Sequence, residues 1–166
     1  MSREGSDQGS VHTGMVAQRP DTVVVGADGS PSSQAAWRWA MGEARARGGR
    51  VRVVTAWASP YDDPLEPLSR LDENPLRDAA QRHQQDTLAG ADLTGLDVSS
   101  EIREGDPRGV LLEAARDADL LVVGSRGRRR IGEVLLGSVS LSCLHHASVP
   151  VTIVRATAHE GPDSST

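Results

Sequence analysis

The clearest sign of the fold is the stretch LVVGSRGRRRIGEVLLGSVS, residues 121–140. An uninterrupted apolar run ends at Gly124, and a second glycine follows at Gly127. Another glycine, Gly137, stands directly before Ser138. An apolar run without polar alternation is typical of a strand buried on both faces of a parallel sheet, and the glycines indicate a turn into a following helix. The stretch therefore predicts a central βα unit.

Similar units are predicted on both sides of this stretch. We predict strands at 22–27, 51–57, 97–105, 119–125 and 149–155. We predict helices from Pro31 up to Gly48–Gly49, at 76–89, at 106–118 and at 137–147. Because strands and helices alternate, we expect a parallel sheet with helices on both faces, and the partly polar strand 97–105 is expected at an edge. Right-handed crossovers with one reversal of winding give a doubly wound five-stranded α/β sheet, ordered 3-2-1-4-5.

Local signals indicate where two of the helices begin and where one ends. Ser30 is a suitable N-cap for the first helix, with Pro31 in its first turn. The pair Gly48 and Gly49 is suited to end that helix. Asp106 is a suitable N-cap for the third helix.

Length and composition indicate one folded domain. A chain of 166 residues suffices for an ordinary domain with a single core. We expect this domain at 21–155, a disordered N-terminal extension at 1–20 and a flexible C-terminal tail at 156–166, because both ends are poor in apolar residues. The net charge of −5 gives no general reason to expect nucleic acid or a membrane surface as a partner. All 18 basic residues are arginine, which excludes the lysine-dependent P-loop.

The sequence favours a cytoplasmic location. The first twenty residues are polar and lack the apolar run of a signal peptide. No segment approaches the roughly 20 apolar residues that a membrane-spanning helix needs. The one cysteine, Cys143, cannot form an internal disulfide, so a reducing compartment is the simplest assumption. We expect its side chain to be a small buried thiol.

The predicted strand order places a ligand crevice between strands 1 and 4. In open α/β sheets, ligands bind beyond the carboxyl ends of the strands, where the winding direction reverses. Strand 1 ends in VGADGS and strand 4 in VGSRG, so two glycine-bearing ends are expected to meet there. Glycines bare the backbone N–H groups, and the helix that opens at Gly137–Ser138 favours an anion at its N-terminus. A phosphate chain fits this arrangement, and a tight turn without any ligand is the alternative.

Four segments carry a resemblance to a known family. VGSRGRRRIGEVLLGSVS contains G-x2-G-x9-G-S and resembles the nucleotide-binding signature of the ATP-binding branch of the universal stress protein family. The segments VVVGADGSPSS, EGDPRGVLLEAA and ASVPVTIVR also resemble that family, in the same order. The likeness spans 21–155. It implies an adenine nucleotide alpha hydrolase-like fold, a nucleotide-binding domain at 21–155 and a homodimer formed through the last strand, 149–155.

The resemblance also implies roles for individual residues. Asp28 would lie beside the adenosine, although an aspartate at this point also suits an N-cap. The backbone of Ala56 would meet the adenine, and Mg²⁺ would accompany the triphosphate. The remaining implied contacts to ribose and phosphates are Gly124, Gly127, Gly137, Ser138, Val139 and Ser140.

The function that follows is that of a cytoplasmic, ATP-binding stress-response regulator, which signals through its conformation or a partner. No catalytic residue and no protein metal ligand is predicted. A slow ATPase is one alternative, with Asp28 and Arg126–Arg130 as the only candidate groups. A nucleotide-free dimeric adaptor of the same fold is the other.

Two further segments are open to more than one interpretation. The run RGRRR at 126–130 is either solvated surface, a clamp on phosphates or, least favoured, a nucleic-acid patch, because interleaved aromatic residues are missing. Its members Arg128–Arg130 stand where the family usually has small residues. The proline-rich connection 58–75 is either a solvated loop or a lid over the nucleotide.

Histidines and tryptophans give smaller signals. His145 and His146 point about 100° apart on a helix, so they do not easily share a metal ion. Trp37 falls on the apolar stripe of the first helix and is expected in the core. Trp39 is expected to be partly exposed or to lie at a contact between helices.

Overall fold

In a computed structural model, residues 21–58, 73–127 and 136–156 are described, with the backbone alone for residues 73 and 74. The predictions for the N-terminal extension, for Arg128–Arg130 and for nearly all of the proline-rich connection and the tail lie outside the described residues. The described elements are β1 (Thr22–Gly26), α1 (Pro31–Arg47), β2 (Arg50–Trp57), α2 (Glu73–Leu88), β3 (Asp97–Glu104), α3 (Pro107–Ala114), β4 (Leu120–Gly124), α4 (Ser138–His146) and β5 (Val151–Val154).

The strands form one parallel five-stranded sheet, ordered β3-β2-β1-β4-β5, as predicted. In the register of the central strands, Val25 of β1 lies beside Val53 of β2 on one side and Val122 of β4 on the other. The winding direction therefore reverses between β1 and β4. The partly polar β3 lies at an edge, as expected from its sequence.

Apolar residues of β1 are buried on both faces of the sheet, which explains its unbroken valine run. Val23 and Val25 belong to a core cluster that includes Trp37 of α1. Val24, between them in sequence, points into a second cluster with α3 and α4. Trp37 is 1% exposed and Trp39 is 38% exposed, so both expectations are confirmed.

The helix ends confirm the predicted caps. The Ser30 hydroxyl accepts a hydrogen bond from the Ser33 N–H at 3.2 Å, at the start of α1. Gly48 follows α1 in the left-handed conformation, with φ of 62°, and both glycine amides there donate to carbonyls of the last turn. The Asp106 carboxylate accepts from the Gly109 N–H at 3.4 Å, at the start of α3.

Two helix boundaries differ from the expected ones. Helix α2 begins at Glu73, three residues before the predicted start, because Pro75 is tolerated in a first turn, where its missing N–H would have no partner within the helix. Helix α3 ends at Ala114 instead of residue 118. The Arg52 guanidinium donates to the Ala114 carbonyl and pairs with Asp117 at 2.6 Å, so it binds the turn that follows the helix.

None of the helices in the described ranges combines the length and apolar character that a bilayer crossing requires.

Candidate functional site

The ends of β1 and β4 meet at Gly127, as the strand order predicts. A Cβ atom at Gly127 would lie 3.1 Å from Oδ2 of Asp28, so the carboxylate lies directly against this glycine. The start of α4 adjoins the same point, because a Cβ atom at Gly137 would lie 3.7 Å from the Gly127 nitrogen. The Gly137 N–H donates to the Ser125 carbonyl at 2.8 Å, which ties the start of α4 to the end of β4. Three separate parts of the chain therefore converge on Gly127.

The Asp28 side chain is held by the loop between β1 and α1. Its Oδ1 atom accepts from the Ser30 N–H at 3.0 Å, and its own N–H donates to the Ser33 hydroxyl at 3.5 Å. Ser30, not Asp28, is the N-cap of α1, so the interpretation of Asp28 as the cap of this helix is wrong. The Asp28 carboxylate instead orients the cap residue, Ser30, by accepting from its N–H. The second oxygen of that carboxylate lies toward Gly127.

Gly124 has a packing reason to be a glycine. A Cβ atom there would stand 2.7 Å from the carbonyl carbon of Ser32 and 2.8 Å from the nitrogen of Ser33. The first turn of α1 thus fills the space beside the end of β4. The Gly124 carbonyl accepts from the buried Ser140 hydroxyl at 2.7 Å. That hydrogen bond uses the one hydrogen of the Ser140 hydroxyl, so only the backbone N–H of Ser140 is left as a donor toward a ligand.

The third part of this site is the N-terminus of α4. Its N-cap is Gly137, and among the described residues no side chain caps it. The N–H groups of the first turn have no acceptor inside the helix, and the positive end of the helix dipole lies there. Gly137 has φ of −73°, which any residue adopts, and among the described atoms an added Cβ atom would meet only ordinary contacts of 3.5 Å or more. Neither backbone strain nor crowding requires a glycine at this position.

The other implied contacts lie around this point at different depths. Ser138 is exposed, while Val139 is partly buried and packs against the second core cluster. Ala56 lies near the end of β2, the strand on the other side of β1. It is two residues beyond Val54, whose carbonyl accepts from the Ala27 N–H at 2.9 Å. All of these positions are on the carboxyl edge of the sheet.

Two buried serines at this site were not identified from the sequence as part of it. The hydroxyls of Ser30 and Ser32 both donate to the carbonyl of Arg126, the former over 3.3 Å. Each side chain is no more than 5% exposed. These bonds attach the first turn of α1 to the loop after β4. The repeated serines of SPSS are the sequence signal, because one N-cap requires only one hydroxyl.

The remaining chemically distinctive side chains lie away from this point or face solvent. Cys143 is fully buried, as expected, and burial raises the pKa of its thiol to about 11, so it is protonated at neutral pH. His145 and His146 are exposed, with ring centroids 6.2 Å apart. Over 21–58, 73–127 and 136–156, no three His, Cys, Asp or Glu side chains are grouped so that they could hold a metal ion.

Comparison with known proteins gives consistent matches. The sequence profile of the universal stress protein family matches residues 20–155. A universal stress protein of Mycolicibacterium smegmatis is 36% identical over 153 residues, which cover 86% of this chain and 50% of that protein. The chain spans about half the length of the curated relatives it matches.

Solved structures agree with the fold. A universal stress protein in complex with cAMP is 30% identical, has a TM-score of 0.57 and aligns over 84% of this chain and 100% of its own. A universal stress protein from Lactobacillus plantarum is 19% identical, has a TM-score of 0.64 and aligns over 83% of this chain and 99% of its own. The second likeness concerns the fold alone.

Proposed function

The chain belongs to the universal stress protein family, and from that premise we propose that it binds an adenine nucleotide where β1 and β4 end. The observation that carries the proposal is the convergence of Asp28, Gly127 and the uncapped start of α4 at one point. A carboxylate, a bare backbone segment and a helix N-terminus are together suited to a ligand with both hydroxyl and phosphate groups. The solved relative at 30% identity that holds cAMP supports an adenine nucleotide as the ligand class.

The phosphates are proposed to bind at the start of α4. Ser138, Val139 and Ser140 form the first turn of α4. Their N–H groups and the positive end of the helix dipole stabilise an anion. Gly127 allows the phosphate chain to approach, since a side chain there would occupy the space against Asp28. Gly137 contributes by leaving the amides beyond it uncovered.

The adenosine is proposed to lie on the β1–β2 side of the phosphates. Asp28 would accept a hydrogen bond from the nucleoside, and the backbone near Ala56 would meet the adenine. Gly124 would support the adenosine and phosphate subsites indirectly. It packs against α1, and its carbonyl accepts from the Ser140 hydroxyl. This gives the eight implied positions distinct roles: Asp28 and Ala56 toward adenosine, Gly124 as support, and Gly127, Gly137, Ser138, Val139 and Ser140 toward phosphate.

We propose ATP with Mg²⁺ as the ligand. In the described part of the chain no cluster of side chains could hold a metal ion unaided. Phosphate oxygens would therefore supply most of the ligands for Mg²⁺, which usually keeps several waters and needs few protein groups.

We further propose that nucleotide binding regulates a partner in the cytoplasm and that the protein is a homodimer. Strand β5 is an edge strand of the described sheet, so its outer backbone groups are candidates to pair with a second copy. On the neighbouring helix α4, Leu141 and Leu144 are 46% and 51% exposed. Exposed leucines beside a sheet edge favour a protein contact over solvent. Analytical ultracentrifugation of the purified protein tests the dimer.

The nucleotide is tested by direct identification. Protein purified under native conditions and then denatured should release an adenine nucleotide that chromatography detects. Adding Mg-ATP at a hundredfold excess over its dissociation constant should stabilise the fold by about 2.7 kcal/mol. No released nucleotide and no rise in melting temperature would contradict the proposal and favour the nucleotide-free adaptor.

A further inference from the structure

Two consecutive N–H groups of the loop between β1 and α1 are held by buried hydroxyls from different helices. The Asp28 N–H donates to the hydroxyl of Ser33, on α1, at 3.5 Å. The Gly29 N–H donates to the hydroxyl of Thr87, on α2, at 3.3 Å. Ser33 and Thr87 are 3% and 2% exposed, so water does not compete for these bonds.

The hydroxyl hydrogens of these two residues are directed to carbonyl groups. Thr87 donates to the His83 carbonyl one turn earlier in α2, at 2.9 Å, and Ser33 donates to the Ser30 carbonyl at 2.9 Å. A hydroxyl has one hydrogen and two lone pairs. With its hydrogen directed to α2 itself, Thr87 presents its oxygen to the loop as an acceptor. The Gly29 N–H, which can only donate, therefore has the Thr87 oxygen as its acceptor.

Helix α2 also lies against the loop backbone. Gly29 has φ of 77°, and a Cβ atom on it would stand 3.2 Å from Cβ and Cδ2 of His83. A side chain at this position would be strained and crowded, so the loop backbone itself contacts the helix. The hydroxyl of Thr87 is thus the polar part of a direct contact between α2 and the loop.

We propose that Thr87 is a positioning residue for the nucleotide site. By accepting from the Gly29 N–H it holds the loop that places the Asp28 carboxylate against Gly127. This inference rests on the proposed function. Because binding and loop order are linked, nucleotide contact at Asp28 also strengthens the bond between Gly29 and Thr87, and α2 responds to occupancy of the site.

The test compares three substitutions of buried threonine. Thr87→Val removes the hydroxyl and keeps the shape, while Thr87→Ser keeps the hydroxyl. Thr22→Val is the matched control, because Thr22 is 3% exposed and its hydroxyl accepts from the Arg50 guanidinium at 2.9 Å, at the opposite end of the sheet. Isothermal titration calorimetry with Mg-ATP gives the affinity of each variant, and urea denaturation gives its stability.

Thr87→Val should weaken Mg-ATP binding about tenfold, the effect expected when one positioning hydrogen bond is lost. Thr87→Ser should restore affinity to within about twofold, and Thr22→Val should lose stability without losing affinity. A merely structural role for Thr87 would make Thr87→Val behave as Thr22→Val does. Equal affinities of those two variants would overturn the proposal.

A second measurement keeps the inference separate from the proposed function. Amide hydrogen exchange of Gly29 should be several-fold faster in ligand-free Thr87→Val than in ligand-free Thr22→Val. If the unsubstituted protein does not bind Mg-ATP, the proposed function fails, and this exchange still decides whether Thr87 holds the loop. Equal exchange in both variants would overturn the positioning role. Should Thr87→Val not fold, the unsubstituted protein decides, since Mg-ATP must slow exchange at Gly29.

Discussion

Two helices begin beside the crevice between β1 and β4, and their N-termini are built differently. Helix α1 starts with a Ser30 cap, a proline in its first turn and a carboxylate, Asp28, bound to the N–H of the cap residue. Helix α4 starts at Ser138 with Gly137 in the N-cap position, and no described side chain caps it. In the first helix, the Ser30 hydroxyl accepts from the Ser33 N–H. In the second, no described side chain accepts from the first-turn amides, which is the reason to propose an anion at α4 and not at α1.

The largest expected effect concerns the attachment of α1 to β4. Gly124→Ala would place a Cβ atom 2.7 Å from the Ser32 backbone. Because backbone cannot move aside as a flexible side chain can, the substitution should destabilise the protein by about 2–3 kcal/mol in urea denaturation.

Gly42→Ala is the matched control for that substitution. Gly42 lies within α1, with no described atom within 4 Å of an added Cβ atom. It should stabilise the protein by about 0.5–1 kcal/mol through its helix propensity. Equal stability of the two variants would show that α1 does not pack against Gly124 as closely as described.

The second prediction makes α4 resemble α1. Gly137→Asp supplies the missing cap, and the position accepts a side chain without strain. The free energy of unfolding, measured in urea, should rise by about 0.5 kcal/mol, since Asp is only a little better than Gly at an N-cap. Mg-ATP binding, measured by calorimetry, should be lost, because the carboxylate occupies the amides and repels phosphate. Gly137→Asn separates these effects, as it caps without charge. Undiminished binding in both variants would remove α4 from the proposed site.

The third prediction removes the cap of α1. Ser30→Ala should lower the free energy of unfolding by about 1 kcal/mol, and Ser30→Gly by only a few tenths. Chemical denaturation with matched slopes distinguishes the two. A loss in Ser30→Ala no greater than in Ser30→Gly would mean that the Ser30 hydroxyl is not needed as a cap. The bond of the Ser30 N–H to Asp28 and that of the Ser32 hydroxyl to Arg126 would then be enough to hold the start of α1.

The last prediction concerns the inner side of α4. The pKa of the Cys143 thiol is raised to about 11 by burial, whereas the unfolded chain has an ordinary thiol that loses its proton near pH 9. Above that pH the unfolded state binds fewer protons, so stability should fall as the pH rises from about 9 to about 11. Cys143→Ala should remove this dependence and leave stability flat over that window, apart from other groups. If Cys143→Ala keeps the same pH dependence of stability, another titrating group causes it.

Much of the fold could be predicted because its signals are local. The valine run of β1, the Ser30 and Asp106 caps and Gly48 each specify a strand or a helix end without reference to the rest of the chain. The strand order followed from general rules of handedness, and the meeting of Asp28 with Gly127 followed from the strand order. The resemblance to the universal stress protein family implied the same strand order and a site at the same place.

The contacts that were missed depend on tertiary structure. Ser32 reaches the Arg126 carbonyl only because α1 packs on β4, and Thr87 reaches Gly29 only because α2 lies against the loop. In the sequence, Thr87 looks like an ordinary helix residue, and the extra serines of SPSS do not say which group they bind. The early end of α3 similarly depends on tertiary structure, because the Arg52 side chain that binds the Ala114 carbonyl comes from β2. Sequence patterns specify elements, and they say little about which polar side chains bridge them.

The position of β1 in the sheet has a consequence for biosynthesis. Val23 pairs with Leu120, so one wall of the crevice leaves the ribosome long before the other. A nascent chain that has not yet reached β4 has no strand to place Gly127 against Asp28. Long-range parallel pairing of this kind is also the slow part of folding. The proposed nucleotide site is therefore complete only after β4 and α4 have been synthesised, and its occupancy would favour the complete fold over partly folded forms.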